Sequence, residues 1–371
     1  MTIAISRRNP VRLHLTNVTG AGASQLLQSL LPALEDVQNV KVERIELPDR
    51  GKLAEYQSSN PNTVTKVYRR RLPNALSRFF ECTLLARRFD SESPLLVLGD
   101  LPLRCRAPQT VFLQQSNLLK PLRDNWRPSR LKYALGRVIF KLNLNRVRAF
   151  IVQTDVMRDA LERSYPRVAG RVHVIAQPVP AWLLCSGLRR QARVRAPGQA
   201  LDLIYPAAGY PHKNHELLAR LDPRAGWPVE RLVLTLDPIT HPAPNISWVE
   251  CYGFLSPQRM IAEYSRVDAL LFLSKEESYG FPLVEAMFVG LPIVCPDLAY
   301  ARTLCGEQAI YFQPDCTNSL LEALNTLQSK LTSGWWPDWT SALKKFPSDW
   351  DCVARQMLAI TCSSNVDFAG S

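Results

Sequence analysis

The alternation of short apolar runs with helical stretches in the second half of the chain constrains the fold more than any other feature. Five runs are predicted to be buried strands: Leu201–Tyr205, Arg231–Leu236, Ser247–Cys251, Ala269–Leu273 and Pro292–Cys295. Four stretches beside them are predicted to be helices: His215–Arg220, Pro257–Arg266, Phe281–Val289 and Ser319–Leu327. Strand, helix and strand at this pace predict an α/β domain whose parallel sheet is covered by helices on both faces.

The first half shows a weaker form of the same pattern. Val11–Thr16 is predicted to be its first strand and is followed by a helix from about Ala23 to Leu34. Later strands are predicted at Leu95–Leu98, Thr110–Leu113 and Ala149–Gln153. A chain of 371 residues is too long for one ordinary core. We therefore expect two Rossmann-like, doubly wound domains that face a central cleft.

The domain boundaries follow from composition. Residues 177–200 contain three prolines, Gly198 and four arginines without periodicity, which is typical of an exposed connector. We predict an N-terminal domain over 1–180, a linker over 181–200 and a C-terminal domain over 201–347. The remaining residues, 348–371, are predicted to form a closing helix and tail that packs back on the N-terminal domain.

The net charge of +12 is divided unevenly along the chain. Residues 1–180 contain 29 lysines and arginines against 14 acidic residues, whereas residues 181–371 contain 16 against 19. The first half is therefore expected to face an anionic partner. Basic and aromatic residues alternate in 68–71, in 78–80 and in 123–148, as in interfacial helices, although a solvated helix face has the same composition.

Three further features bear on location. No run approaches 18 apolar residues, and the N-terminus has no apolar stretch after its basic start. The nine cysteines are scattered, without a Cys-x-x-Cys pair. We therefore expect a cytoplasmic protein with reduced cysteines, bound peripherally to the cytoplasmic face of an anionic membrane.

The most informative segment runs from Lys275 to Met287, after a predicted strand and into a predicted helix. Pro282 fits the first helical turn, where its missing N–H costs nothing. Gly280 allows the backbone to approach a ligand closely. Amides near Gly280 and Phe281, together with the helix dipole, favour an anion such as a diphosphate at this position.

Two glutamates flank this turn. Glu285, placed in the first helical turn, is suited to accept hydrogen bonds from vicinal hydroxyls of a ribose. Glu277 in the preceding loop is suited to hold hydroxyls of a sugar. Spacing alone leaves open that Glu285 caps a helix and that Glu277 is a solvated loop residue.

Lys213 follows the first strand of the second half and is placed to neutralise a departing diphosphate. A plain surface lysine is the alternative. His212 and His215 flank it, but no carboxylate cluster accompanies them and no Asp-x-Asp pair ends a strand, so no metal is expected. In the first half, Gly20 and Gly22 follow the first strand, either as a turn that admits a ligand or as an ordinary strand–helix connection.

The segment from Glu277 to Glu285 resembles the E-x7-E motif of the family 4, group 1 type glycosyltransferases, which have the two-domain GT-B fold. The similarity extends to Gly253-Phe254-Leu255, to residues 290–294, to residues 152–161 and to residues 350–354. Together these segments span most of residues 150–360. The combination is far more specific than the two glutamates alone.

The resemblance implies a role for each matching residue. Glu285 would bind the nucleotide ribose, Glu277 the donor sugar, and Lys213 the diphosphate as in the family's phosphate loop. The remaining donor-binding positions are Gly209, Gly253, Phe254, Leu255, Ser278, Tyr279, Gly280, Phe281 and Pro282. Two departures stand out, since Ala208 replaces a common arginine and Gln114 stands where many members place a cleft histidine.

The predicted function is retaining, metal-independent transfer of a hexose from a UDP- or GDP-linked donor. The acceptor would be a hydroxyl of a glycan or lipid-linked saccharide, in cell-surface polysaccharide or lipopolysaccharide biosynthesis. No cofactor and no nucleic-acid partner are expected. Two alternatives stay open: another GT-B enzyme, such as a nucleotide-sugar epimerase, and a basic nucleic-acid-binding protein without activity.

Overall fold

The computed structural model describes residues 9–18, 20–70, 74–119, 128–193 and 195–363, without the side chains of 21, 74 and 128–132. The chain forms two compact units. Unit 1 comprises residues 1–177 and 347–371, and unit 2 comprises residues 178–346. None of the described helices is long and apolar enough to cross a membrane.

The first part of unit 1 alternates strands and helices. The elements are β1 (Asn9–His14), α1 (Ala21–Asp36), β2 (Val40–Leu47), β3 (Val64–Val67), α2 (Asn74–Cys82), β4 (Leu95–Val97), β5 (Gln109–Phe112), α3 (Pro128–Asn143), β6 (Val147–Val152), α4 (Asp155–Ser164) and β7 (Val172–Val174). The seven strands form one parallel sheet in the order β3-β2-β1-β4-β5-β6-β7. The central strands are buried on both faces because helices cover the sheet on each side, whereas β3 at the edge is exposed.

Unit 2 repeats this architecture with six strands. Its elements are α5 (Ala181–Ser186), β8 (Leu201–Tyr205), β9 (Val229–Leu234), β10 (Val249–Cys251), α6 (Pro257–Arg266), β11 (Ala269–Leu271), α7 (Phe281–Val289), β12 (Ile293–Pro296), α8 (Ala299–Cys305), β13 (Ile310–Phe312), α9 (Thr317–Thr332) and α10 (Thr340–Leu343). The sheet is parallel throughout, in the order β10-β9-β8-β11-β12-β13.

The last helix, α11 (Trp350–Cys362), belongs to unit 1 although it follows unit 2 in the chain. It packs against α1 and against strands of the unit 1 sheet. Asp349 caps its N-terminus by accepting the Cys352 amide at 2.7 Å. Its inner face is buried, as expected for an amphipathic helix that covers a sheet.

Most of the predicted elements are present within one or two residues. Leu201–Tyr205, Pro257–Arg266 and Phe281–Val289 have the predicted bounds, and the prediction of a parallel α/β sheet in each half is confirmed. The segment His215–Arg220 is a 3-10 helix rather than an α-helix. The sequence patterns did not reveal β2 and β3, whose alternating or exposed residues lack an apolar run.

The interpretation of residues 177–200 as an exposed connector is wrong. Residues 181–186 form α5, and two of the four arginines are buried in unit 2. Arg190 donates to the carbonyl oxygens of Tyr264 and Val267 at 3.0 and 2.9 Å. Arg195 forms a salt bridge with Asp268. Arg190 thus binds carbonyls at the end of α6, and Arg195 pairs with the acid that follows it, so both charges have a structural use.

Candidate functional site

The candidate site lies at the carboxyl edge of the unit 2 sheet, between β8 and β11. The chain runs from β8 outward to β9 and β10 and then returns to place β11 on the other side of β8. Such a reversal leaves a crevice between the loops that follow the two central strands, which is where open α/β sheets bind ligands. The loop after β8 carries Lys213, and the loop after β11 carries Glu277.

Lys213 and Glu277 form an ion pair across this crevice. The Lys213 Nζ lies 2.5 Å from the Glu277 Oε1, and the two side chains are only 15 % and 9 % exposed. The Tyr205 hydroxyl donates to the Lys213 carbonyl at 2.7 Å, and the Lys275 amide donates to the His212 carbonyl at 2.8 Å. The two loops are therefore joined by backbone as well as by charge, so the cation is held in place before any ligand arrives.

Helix α7 begins beside this pair at Gly280. Gly280 has φ +89, and a Cβ there would lie 3.3 Å from Leu304 and 3.4 Å from Leu283. Only glycine adopts this backbone conformation without strain. The Gly280 carbonyl accepts from the Leu283 amide at 2.9 Å, and Pro282 has no N–H, so Phe281 carries the amide of this first turn that has no intrahelical acceptor. An anion is stabilised at such a helix start.

Glu285 is buried in unit 2. It is the fifth residue of α7 and therefore lies in the second helical turn, not in the first turn as expected. The Tyr264 hydroxyl donates to its Oε2 at 2.7 Å. Burial raises the pKa of the Glu285 carboxyl to about 7, because little solvent is left to stabilise its charge. A buried acid with one engaged oxygen is a strong acceptor for ligand hydroxyls.

The other predicted donor residues occupy three loops at the same edge. Gly209 lies in the loop after β8, and its added Cβ would be 3.4 Å from a Leu236 methyl. Ser278, Phe281 and Pro282 lie at the start of α7. The Tyr279 ring is buried and packs on Phe281 at 4.8 Å and on Phe346 at 6.3 Å. That ring anchors the turn instead of facing a ligand.

Residues 253–255 follow β10 at the edge of the sheet. Gly253 has φ +71, and its amide donates to the Leu236 carbonyl at 2.8 Å. Leu255 is buried, whereas Phe254 is 71 % exposed. The hydrogen bonds described for this segment do not join it to Lys213 or Glu277. The turn is thus two strands away from the ion pair, with an aromatic ring at the surface.

The histidines beside Lys213 pack on aromatic rings. His215 stacks on Tyr205 with ring centroids 4.9 Å apart, and His212 stacks on Tyr210 at 5.7 Å. Burial lowers the pKa of His215 to about 4, and Lys213 adds to that shift. Over the described part of the chain, no three His, Cys, Asp or Glu side chains are grouped closely enough to hold a metal ion.

Unit 1 has its own polar residues at the carboxyl edge of its sheet. Gly20 precedes α1 and accepts from the Ser24 amide at 2.9 Å, and an added Cβ at Gly20 or Gly22 would meet nothing within 4 Å. The Gln114 amide donates to Asp100 at 2.6 Å. Sequence reasoning missed Asp100, a half-buried residue with φ +66 whose carboxyl has a pKa raised to about 6 by loss of solvent. Its position directly after an apolar strand was the available signal.

Two arginines from the predicted interfacial stretches point inward. The Arg70 side chain is 2 % exposed and donates to the Thr16 carbonyl and to Asn17 Oδ1, both at 2.6 Å. Arg78 donates to the Asn17 carbonyl at 2.8 Å. These two residues therefore organise the end of β1 and do not contribute to a basic surface. Residues 71, 123, 126 and 127 of the same stretches lie outside the described residues.

Solved structures share this two-unit architecture. WaaG, a glycosyltransferase involved in lipopolysaccharide biosynthesis, matches with a TM-score of 0.63 and 14 % identity, over 95 % of this chain and 99 % of WaaG. Anabaena Alr3699/HepE, solved in complex with UDP and glucose, matches with a TM-score of 0.59 and 16 % identity, over 96 % of this chain and 100 % of that chain. The protein has the GT-B fold, as the sequence predicts.

Sequence comparison finds similarity over part of the chain. The family model described as "Glycosyl transferases group 1" matches residues 236–330, which contain Glu277, Gly280 and Glu285. A stretch of 114 residues is 29 % identical to the serotype-specific mannosyltransferase WbdA of Escherichia coli. The match covers 30 % of this chain and 13 % of WbdA, so it spans a small part of that relative. Residues 236–330 are therefore similar to the group 1 glycosyltransferases.

Proposed function

We propose that the protein is a retaining, metal-independent glycosyltransferase that moves a hexose from a UDP- or GDP-linked donor to a hydroxyl of a glycan or lipid-linked saccharide. The observation that carries this proposal is the Lys213–Glu277 pair, which lies at the reversal point of the unit 2 sheet, beside the start of α7. This arrangement offers a cation, a helix start and two acids to one ligand.

The donor would use each of these groups. Its diphosphate would lie against the first amides of α7, where the Lys213 ammonium also reaches. Glu277 would give up part of its ion pair with Lys213 and accept hydrogen bonds from hydroxyls of the hexose. Glu285, held by Tyr264, would accept from the ribose hydroxyls. The similarity to Anabaena Alr3699/HepE, which was solved in complex with UDP and glucose, supports this class of donor.

The reaction would break the bond between the anomeric carbon and the diphosphate oxygen and form a bond from the acceptor oxygen to that carbon. The acceptor proton would pass to the departing diphosphate. Lys213 and the α7 amides would stabilise the negative charge as it develops on that group. Glu277 is engaged by Lys213, and Glu285 is engaged by Tyr264. Neither is placed as a nucleophile, so we favour attack on the face that the leaving group vacates.

The acceptor class is proposed from the relatives. WbdA is named a mannosyltransferase, and WaaG is named for lipopolysaccharide biosynthesis. We propose an acceptor of the same kind, a cell-surface polysaccharide precursor at the cytoplasmic face of the membrane. The basic excess of residues 1–180 would favour an anionic membrane surface. No metal ion takes part in this scheme, because Lys213 and the helix start supply the positive charge.

Product analysis tests this proposal. The protein is incubated with UDP- and GDP-hexoses and a lipid-linked saccharide fraction, with and without EDTA, and the new linkage is read by NMR. We expect a product with the donor's anomeric configuration in both conditions. Lys213→Ala is expected to lower kcat by about 100-fold or more. Lys275→Ala is the matched control, since this lysine lies in the neighbouring loop after β11 and pairs with Glu216 and Asp315 at the surface.

Three outcomes would contradict the proposal. An inverted product would exclude retention, and complete loss of turnover in EDTA would exclude metal independence. An altered nucleotide-sugar released without any acceptor would indicate an epimerase.

A further inference from the structure

Unit 1 contains a basic cavity that the proposed transfer chemistry does not use. The cavity has a volume of about 500 Å³, within the range of small-ligand sites. Its lining residues are Thr83, Leu84, Arg87, Asp90, Arg104, Arg106 and Arg146. Four exposed arginines thus line the cavity with one acidic residue, which leaves a local excess of positive charge.

The cavity lies at the amino edge of the unit 1 sheet. Arg104 and Arg106 precede β5, Arg146 precedes β6, and Arg87 and Asp90 precede β4. Asp100 and Gln114 follow β4 and β5 at the carboxyl edge. The length of a four-residue strand, roughly 13 Å, separates the two edges. The cavity is therefore distinct from the polar residues expected to meet the acceptor.

Buried amide side chains hold the walls of this cavity in place. Asn143 donates to the carbonyl oxygens of Cys82 and Pro102, both at 3.0 Å. The Arg104 amide also donates to the Cys82 carbonyl, at 2.9 Å. Gln109 accepts from the Leu103 amide at 2.9 Å and donates to the Leu103 carbonyl at 2.7 Å. The loop that carries Arg104 and Arg106 is thus preformed, which lowers the entropic cost of binding.

The four guanidinium groups are available for a ligand. Within the described part of unit 1, the arginines that form salt bridges are Arg12, Arg44, Arg70 and Arg158. Asp90, the acid of the cavity, accepts the backbone amide of Arg106 at 2.6 Å. Arginine forks match the geometry of phosphate oxygens. Repulsion among them is relieved when an anion binds.

We propose that this cavity is a binding site for a phosphate-bearing ligand, distinct from the donor site of unit 2. Four arginines around a space of about 500 Å³ fit a diphosphate or a phosphodiester headgroup better than a single small anion. The ligand is either a soluble phosphate compound or the headgroup of an anionic lipid. Leu84, which lines the cavity and is 67 % exposed, would contact the lipid in the second case.

Two binding measurements on the full chain test the proposal. Inorganic pyrophosphate is titrated by calorimetry, and vesicles of phosphatidylglycerol in phosphatidylcholine are tested by co-sedimentation. Arg104→Gln/Arg146→Gln is expected to weaken the binding of at least one probe by at least about tenfold, because hydrogen bonds from charged donors are lost. If the double variant does not fold, the same binding measurements are made on Arg87→Gln, which changes an exposed side chain of the cavity.

The matched control is Arg50→Gln/Arg167→Gln, which removes two exposed arginines of unit 1 away from the cavity. We expect it to bind both probes as the wild type does. Leu84→Ser distinguishes a lipid headgroup from a soluble phosphate compound. If the ligand is a lipid, this variant should bind vesicles more weakly than wild type. Its binding of pyrophosphate should be unchanged in either case.

Two outcomes would overturn the site: neither probe binds, or the control variant loses as much affinity as the cavity variant, which would indicate general charge attraction. The proposal concerns unit 1 alone, so nucleotide-sugar binding by the same variants is expected to be unchanged. If the wild type showed no transfer activity, the proposed phosphate-binding cavity of unit 1 would be unaffected.

Discussion

Glu285 is an ionisable side chain buried inside unit 2, where apolar residues are usual. An ionisable carboxyl buried in a helix interior destabilises the fold when it is charged. Tyr264 offsets part of that cost with one hydrogen bond at 2.7 Å. Groups kept at such positions against stability are typical of ligand sites. We therefore interpret the buried acid as a functional residue rather than a helix cap.

The raised pKa of Glu285 predicts how stability changes with pH. The folded protein binds this proton more tightly than the unfolded chain, since the pKa rises from 4.5 to about 7. Its contribution to stability is therefore full below about pH 4.5 and is lost as pH rises through 7. Glu285→Gln should stabilise the protein by up to about 3 kcal/mol at pH 8 and by nothing at pH 4.5.

Chemical unfolding at several pH values measures this difference. Glu230→Gln, at an exposed carboxylate of β9, serves as the control and should change stability little at any pH. Equal stability of Glu285→Gln and wild type at pH 8 would show that burial does not perturb this acid.

The sequence predicted residues of the unit 2 site but not their supports. Glu277, Gly280 and Lys213 were predicted from their positions relative to strands and helices together with the family resemblance. Tyr264 and Asp100 were not, because their importance comes from tertiary contacts with residues far along the chain. Pairing of Lys213 with Glu277 likewise depends on sheet order, which spacing does not specify.

At the scale of an element, the start of α7 depends on its glycine. Gly280→Ala places a Cβ in a left-handed conformation and 3.3 Å from Leu304, so we expect a loss of about 1–2 kcal/mol in stability. The change also shifts the first amides of the helix. Donor affinity should therefore fall by at least about tenfold, measured by calorimetry.

Gly334→Ala is the matched control for that substitution. Gly334 has φ +82 with nothing within 4 Å of an added Cβ, and it lies after α9, away from the site. A similar loss of stability with unchanged donor affinity is expected. If Gly280→Ala bound donor as tightly as wild type, the start of α7 would not hold the diphosphate.

The linker segment illustrates what composition cannot predict. Prolines and arginines without periodicity are typical of exposed chain, yet Arg190 and Arg195 are buried against α6 and Asp268. Burial of an arginine depends on carbonyls and acids that only the folded unit supplies. The two units divide between residues 177 and 178.

At the scale of the whole molecule, the chain completes unit 1 with its last helix. Val353 and Met357 of α11 are fully buried in that unit. Val353→Ala/Met357→Ala should therefore lower the free energy of unfolding of unit 1 by about 4 kcal/mol or more. Thermal unfolding detects this change, while donor binding by unit 2 should persist below the transition.

The exposed residues of the same helix give the control. Arg355→Ala/Gln356→Ala changes two exposed side chains and should unfold like wild type. Equal stability of the two double variants would mean that α11 is not part of the unit 1 core.

The distribution of charge is another property of the whole chain. Residues 1–180 hold the basic excess, and the folded structure divides it into inward arginines such as Arg70 and cavity arginines such as Arg104. Composition predicted an anionic partner for this half but not where it would bind. The binding place depends on which guanidinium groups donate to carbonyls of the protein itself and which remain for a ligand.

The most direct test of the central claim is calorimetric titration of UDP- and GDP-hexoses, in EDTA, into wild type, Lys213→Ala and Glu285→Gln. We expect the wild type to bind donors of one nucleotide class with micromolar affinity. Lys213→Ala and Glu285→Gln should each weaken that affinity at least about tenfold. Binding of no donor by the folded wild type, or equal binding by all three proteins, would contradict the assignment of the donor site to unit 2.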